Sequence, residues 1–233
     1  MKKEIGWGIL CGAGALLLGQ TAMASDVYGL NLRGDNQFFQ TTTDDFVGNF
    51  TNVGAADYDT FALDLDPTGT TMYAALWDGG LSNQYGTIDV NTGAFSLLGD
   101  LVGPQIGDNI SGLSVDPTTG MWYMSVIDPG QNAFLYRGDI ATGTFELVGN
   151  IGFGLNIDLA IDSQGNAYGH EIAGDMLLSI DLATGLGTEI GPTGFNANFA
   201  QGMDFDYADD TLYATLYTGG GTGQFGYFDL NTG

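Results

Sequence analysis

Residues 112–149, GLSVDPTTGMWYMSVIDPGQNAFLYRGDIATGTFELVG, hold one nearly full turn of a pattern that runs through the chain. An alternating segment ends at Asp116, a Pro-Thr-Thr-Gly turn follows, and a second alternating segment surrounds Tyr123. A third segment ends at Asp139, four residues before Gly143; six residues later, past the strand formers TFELV, stands Gly149. Period-two alternation cut by Asp, Gly and Pro marks short antiparallel strands joined by hairpins.

The same landmarks recur on both sides of this stretch. Asp44, Asp89, Asp139, Asp181 and Asp229 each precede a glycine by four residues: Gly48, Gly93, Gly143, Gly185 and Gly233. Another glycine follows the first four at a spacing of six: Gly54, Gly99, Gly149 and Gly191. Tyr28, Tyr73, Tyr123 and Tyr213 lie 16 residues before their repeat aspartate, and Tyr168 lies 13 before Asp181. Upstream of four of these tyrosines an alternating segment ends at Asp66, Asp116, Asp162 or Asp206. Each unit therefore reads as strand a, turn, strand b around the tyrosine, loop, strand c, D-x-x-x-G turn, strand d.

Four short strands in about 46 residues cannot bury both faces of their own sheet. Radial repetition solves this, since each face then packs on its neighbour. The predicted fold is an all-β propeller with five recognisable repeats, at about 25–58, 59–107, 108–153, 154–197 and 198–233. The first repeat enters at strand b and the last stops after strand c, so the strand count is 3+4+4+4+3. The missing strands do not complement each other, which leads us to expect a truncated or unclosed ring. The aspartates that end strands a and c are expected to build turns, because Asp bonds the backbone N–H groups that follow it.

The core of the repeat, GLSVDPTTGMWYMSV followed by LYRGDIATGTFELVG, resembles secreted bacterial proteins of the YVTN-repeat or quinoprotein-amine-dehydrogenase-like β-propeller superfamily. The likeness covers nearly all of residues 26–233. It implies a propeller fold and leaves the activity open, since that superfamily hosts enzymes, binding proteins and others. A quinoprotein cofactor set is not recognisable here.

Residues 1–24 read as a signal peptide. Lys2 and Lys3 supply the positive end, an apolar stretch runs from about Ile5 to Leu18, and Ala22-Met23-Ala24 supplies the small residues. The apolar stretch is too short for a membrane-spanning helix. Cleavage after Ala24 would leave a propeller domain of residues 25–233, exported to the periplasm, cell surface or medium. Cys11 would leave with the leader, so no disulfide or thiol supports the fold.

The chain carries 28 acidic residues against 4 basic ones, a net charge of −24. Beyond the leader only Arg33 and Arg137 remain. Such a surface repels nucleic acid and anionic lipid, whose binding needs Lys and Arg to neutralise phosphate. An extracellular ligand, protein or glycan fits better, and dissolved cations would offset self-repulsion.

Two sets of residues offer chemistry. His170, the single histidine, shares a strand face with Tyr168 in AYGHEI, where the other units carry Leu30, Ala75, Ser125 and Thr215. It is the candidate for acid–base catalysis, although Glu171 points to the opposite face and offers it no partner. Asp64, Asp158 and Asp204 lie on strand a, opposite Leu63, Leu65, Leu159, Ile161, Met203 and Phe205. They could aim carboxylates at the channel and hold calcium there, or hydrogen-bond neighbouring backbone. Ser114 and Ala160 occupy the slots matching Asp64 and Asp204, so the ring is incomplete. Sialidase boxes, nucleophile elbows and phosphate loops are not matched. Trp77, Trp122 and loop aromatics read either as sugar platforms or as packing between blades. The reading that follows is a non-catalytic exported binding or cell-surface module, calcium being a possible stabiliser. Its alternative is a lyase or hydrolase acting on polysaccharide or a small molecule at the channel.

Overall fold

The computed structural model describes residues 8–12, 25–31, 37–44, 50–56, 58–77, 83–105, 107–198, 201–219 and 223–233. They form an all-β propeller of five blades. Blade one holds β2 (Asp26–Asn31), β3 (Gln37–Thr42) and β4 (Thr51–Ala55), with β1 (Gly8–Gly12) added to the edge of β2. Blade two runs β5 (Thr60–Leu65), β6 (Met72–Leu76), β7 (Gln84–Ile88) and β8 (Phe95–Asp100). Blade three runs β9 (Asn109–Val115), β10 (Trp122–Ile127), β11 (Asn132–Asp139) and β12 (Thr144–Gly154). In blade four the strands are β13 (Asn156–Ile161), β14 (Ala167–Glu171), β15 (Met176–Ile180) and β16 (Gly187–Pro192). Blade five has β17 (Gln201–Asp206), β18 (Thr211–Tyr217) and β19 (Gly223–Tyr227).

The repeat strands thus number 3+4+4+4+3, as their phase in the sequence dictates. The sequence pattern did not foresee β1. Five residues from the leader-like stretch take the innermost slot that the first repeat leaves empty, pairing Cys11 with Tyr28 and Gly12 with Val27. Through β1, contacts between innermost strands run around the circuit β1, β5, β9, β13, β17 and back, so the expected opening is filled. The rest of the predicted leader, including Ala22–Ala24 where cleavage is expected, lies outside the described residues, as do Arg33 and Gly48.

Each core cluster sits at a seam between blades. Leu30 and Phe38 of blade one meet Leu63, Leu65 and Met72 of blade two. Ala62, Ala75 and Tyr85 meet Leu113, Val115 and Trp122 at the next seam. Leu135 and Ile151 meet Leu159 and Ile161, and Ala160 and Leu177 meet Met203, Phe205 and Phe228. Strand-a residues therefore alternate between the preceding and the following blade, which is why alternation was visible in sequences buried on both faces.

Both repeat glycines have a physical cause. Gly93, Gly143, Gly185 and Gly233 adopt positive φ at the end of the D-x-x-x-G turn, where a side chain is strained. At Gly54, Gly149 and Gly191 the reason is space. A Cβ there would overlap the carbonyl oxygen of Thr92, Thr184 or Thr232, each in the D-x-x-T-G turn of the following blade. One residue before each glycine at position six, the strand bulges. Gly54, Gly99, Gly149 and Gly191 pair with Phe38, Tyr85, Leu135 and Leu177, and the register then skips Val53, Leu98, Val148 and Ile190. A bulge bends and twists the outer strand.

Candidate functional site

The aspartates that end strands a and c organise one end of the propeller. Asp89, Asp139, Asp181 and Asp229 each accept the N–H two residues on, from Asn91, Ala141, Ala183 and Asn231. Asp66 accepts from Thr70 and Thr71, Asp116 from Thr118, Asp162 from Gln164 and Asn166, and Asp206 from Ala208. The N–H of Ala183 holds the Asp181 carboxyl below the usual carboxylate range, and that of Asn231 does the same for Asp229. The a–b turns of successive blades also touch. Ser163 donates from N and Oγ to the Asp210 carboxylate at 3.0 and 2.7 Å, and Gly165 lies against Asp116 and Thr118. Because each sheet is a simple meander, the c–d turns fall at this same end. One face of the molecule is thus built from aspartate turns.

Asp64, Asp158 and Asp204 are buried along the innermost strands. Asp64 accepts the N–H of Leu65 at 2.7 Å with one oxygen and that of Val115, in the next blade, at 2.9 Å with the other. Asp158 repeats the arrangement on Leu159 at 2.8 Å and Met203 at 2.7 Å. Val115 holds in β9 the place Leu65 holds in β5, and Met203 matches Leu159. Each carboxylate therefore joins two equivalent N–H groups on facing inner strands, groups that no sheet partner satisfies. Asp204 accepts from Phe205 at 2.7 Å. Asp158 sits at φ 77 beside a register shift between Asn156 and Leu159, a conformation that costs a non-glycine residue strain.

Burial is the main force raising the Asp64 carboxyl well above its ordinary range, and the charge of Asp204 adds to it. Burial raises Asp158 in the same way, against hydrogen bonds from Met203 and Leu159 that lower it. The three carboxylates feel one another. Even so, no group of three or more His, Cys, Asp or Glu among the described residues is gathered closely enough to hold a metal ion. Of the two roles open to these residues, backbone pairing between blades is the one the geometry displays. Tyr207 stands where the channel meets the turn face; burial and the charges of Asp64, Asp204, Asp116 and Asp162 all raise its hydroxyl pKa.

His170 on β14 is 1% exposed and packs against Phe228 of blade five with ring centroids 5.4 Å apart and the ring planes tilted by 57°. Neither ring nitrogen has a hydrogen-bond partner. Glu171 turns away and accepts the N–H groups of Ala173 and Gly174, both at 2.8 Å. Burial lowers the His170 pKa to about 4. It is a neutral seam residue here, with no carboxylate to orient it for proton transfer. Trp122 is likewise packing, set edge-on to Tyr73 at 5.2 Å, while Trp77 is 39% exposed beside Phe61.

A surface cleft of about 360 Å³ opens on the turn face of blade four, along Tyr168, Ser179 and Thr188. Tyr168 pairs with Ser179 and Ser179 with Thr188, so the three form one row across β14, β15 and β16. Sequence reasoning missed this place, because it arises from small residues that carry no motif.

No protein-family model and no curated protein matches the chain. Solved structures of β-propeller type do match it. A structural-genomics protein of unknown function from Bacteroides thetaiotaomicron superposes with a TM-score of 0.58 at 17% identity. The match covers 87% of this chain and 56% of that protein, so the chain spans little more than half its length. Nidogen, solved in a nidogen/laminin complex, superposes with a TM-score of 0.54 at 15% identity, covering 94% of this chain and 79% of nidogen's. These likenesses establish the fold.

Proposed function

We propose that this propeller is exported and acts as a non-catalytic binding module that presents its turn face to an extracellular ligand. One observation carries the reading: the groups suited to chemistry are consumed inside the fold. His170 is sealed in a seam without a carboxylate partner, and Asp64 and Asp158 are committed to backbone donors of adjacent blades. General acid–base catalysis needs a group within reach of substrate and of its own partner. The leader-like N-terminus supports export, and the near absence of Lys and Arg turns the module away from nucleic acid and anionic membranes. Among the described residues no helix is long and apolar enough to cross a membrane. That nidogen, a similar fold, forms a complex with laminin fits a recognition role. Dissolved calcium or other cations would then stabilise the molecule by screening its charge.

The test is affinity electrophoresis of the secreted protein through gels containing soluble polysaccharides, with reducing ends and unsaturated sugars assayed in the same gels. Retardation without product is the expected result. Product formation that disappears with His170→Leu would replace this reading with the lyase or hydrolase. The N-terminus of the secreted protein should begin at Ser25; that cleavage removes β1 and leaves the innermost slot of blade one open, whereas an N-terminus that retains residues 8–12 would keep the ring filled and count against export through this leader.

A further inference from the structure

The row of residues in register with the repeat tyrosine differs from blade to blade. In blade three, Tyr123 pairs with Arg137 and Arg137 with Glu146, whose side chains form an ion pair at 2.8 Å. In blade two the row is Tyr73, Thr87 and Ser96, and Trp122 of the next blade packs on Tyr73. Blade four has neither filling. Its row is Tyr168, Ser179 and Thr188, and the residue of blade five that matches Trp122 is the smaller Leu212. Short side chains where another blade has long ones leave the cleft of about 360 Å³, within the range of small-ligand sites.

The cleft wall has a defined chemistry. Tyr168 presents an aromatic ring backed by Phe205 at 5.5 Å, and Leu186, 57% exposed, adds an apolar edge. Thr188 and Ser179 supply hydroxyls, that of Ser179 held only by a long 3.4 Å bond to the Thr188 carbonyl, and Asn166, whose amide N–H donates to Asp162, adds an amide oxygen. No Lys or Arg lines it, so nothing neutralises an anion. Asp181 is committed to the N–H groups of Ala183 and Thr184 and is fully solvated, which makes it a weak attractor of cations. A ring face, an apolar edge and neutral hydrogen-bonding groups match a ligand with one apolar face and many hydroxyls.

We propose that this cleft is a binding site for a neutral sugar unit, stacked on Tyr168 and Leu186 and hydrogen-bonded by Ser179 and Thr188. The assignment rests on the binding-module reading and gives it a ligand class.

The experiment titrates maltotriose, cellotriose, xylotriose and a trigalacturonate into the secreted protein, followed by ligand-observed NMR and calorimetry in about 0.15 M salt. The double variant Ser179→Arg/Thr188→Glu transplants the ion pair of blade three into the same register, so folding should survive and the cleft should fill. At least one neutral trisaccharide is expected to bind, at least tenfold more weakly to the double variant and severalfold more weakly to Leu186→Ala. Trigalacturonate is expected not to bind. Equal binding by the double variant, with unchanged Tm, overturns the site and leaves the binding-module reading standing. Preference for trigalacturonate, or binding of none of the sugars, overturns the ligand class. Cleavage of a trisaccharide would instead refute the non-catalytic reading itself.

Discussion

His170 shows how far a residue's neighbours decide its chemistry. An imidazole on a strand beside a tyrosine and a glutamate is a plausible acid–base group in sequence. Folded, it faces Phe228 with both nitrogens unpaired, and burial lowers its pKa to about 4 from an ordinary 6.5. The unfolded chain then binds a proton that the native state refuses. Stability from this residue is full above pH 6.5 and is lost as pH falls from 6.5 toward 4. At pH 5 the loss is about 2 kcal/mol, roughly 6 °C in Tm for a domain of this size. Asp64 and Asp158 act in the opposite direction. Their carboxyls are raised, so their protonation favours the fold at low pH, and that favour is lost as pH rises through the raised values. Comparing wild type with His170→Leu cancels the carboxylate contribution, since both proteins share it. Leucine is a fitting replacement because Leu30 fills the matching slot in blade one. The difference in Tm, variant minus wild type, should grow by several degrees between pH 7 and pH 5. A constant difference across that window would show that His170 is not held neutral by burial.

Seams between blades are the elements in which the repeat finds its meaning. The D-x-x-x-G turns and the tyrosine rows were legible because local hydrogen bonding and alternation write themselves into neighbouring residues. Asp181 and Ala183, for instance, are two positions apart. What joins blades is not local. Asp64 reaches Val115 and Asp158 reaches Met203 across more than forty residues, so the sequence marked these carboxylates as unusual without saying what they hold. The bulges at Val53, Leu98, Val148 and Ile190 show only in the pairing of strands c and d, and the cleft beside Tyr168 depends on which side chains β14, β15 and β16 bring into one row. The glycine at position six could be counted, but its cause lies in the turn of the blade that follows. Gly149→Ala should therefore cost about 1–3 kcal/mol in urea unfolding, because the added carbon meets the Thr184 backbone carbonyl, which cannot swing aside. Gly226→Ala, on β19 with open space around it, should be neutral or stabilising by about 0.5 kcal/mol. Equal costs at the two positions would mean that the seam yields, and that backbone entropy alone explains the repeat glycine.

At the scale of the whole molecule, charge is the dominant long-range term. A net charge of −24 rests on a single described ion pair, Arg137 with Glu146, and both of its side chains are largely exposed, so it contributes little. Backbone N–H donors hold the Asp181 and Asp229 carboxyls below their usual range, and the turn aspartates crowd one face, where they repel each other over distances of about a Debye length. Folding concentrates this charge, so stability should rise with ionic strength even though no contact changes. From about 0.02 to 0.5 M NaCl the Tm should climb by roughly 5 °C or more, since the screening length falls several-fold over that range. The identity of the cation separates screening from a site. Calcium, magnesium and sodium compared at equal ionic strength should raise Tm to similar extents, with no saturation at sub-millimolar calcium. A bound ion would behave differently, adding RT ln(1 + [L]/Kd) and responding to a chelator. A saturable, calcium-specific rise that vanished in Asp158→Asn would establish a channel ion among Asp64, Asp158 and Asp204, and would displace screening as the source of cation dependence.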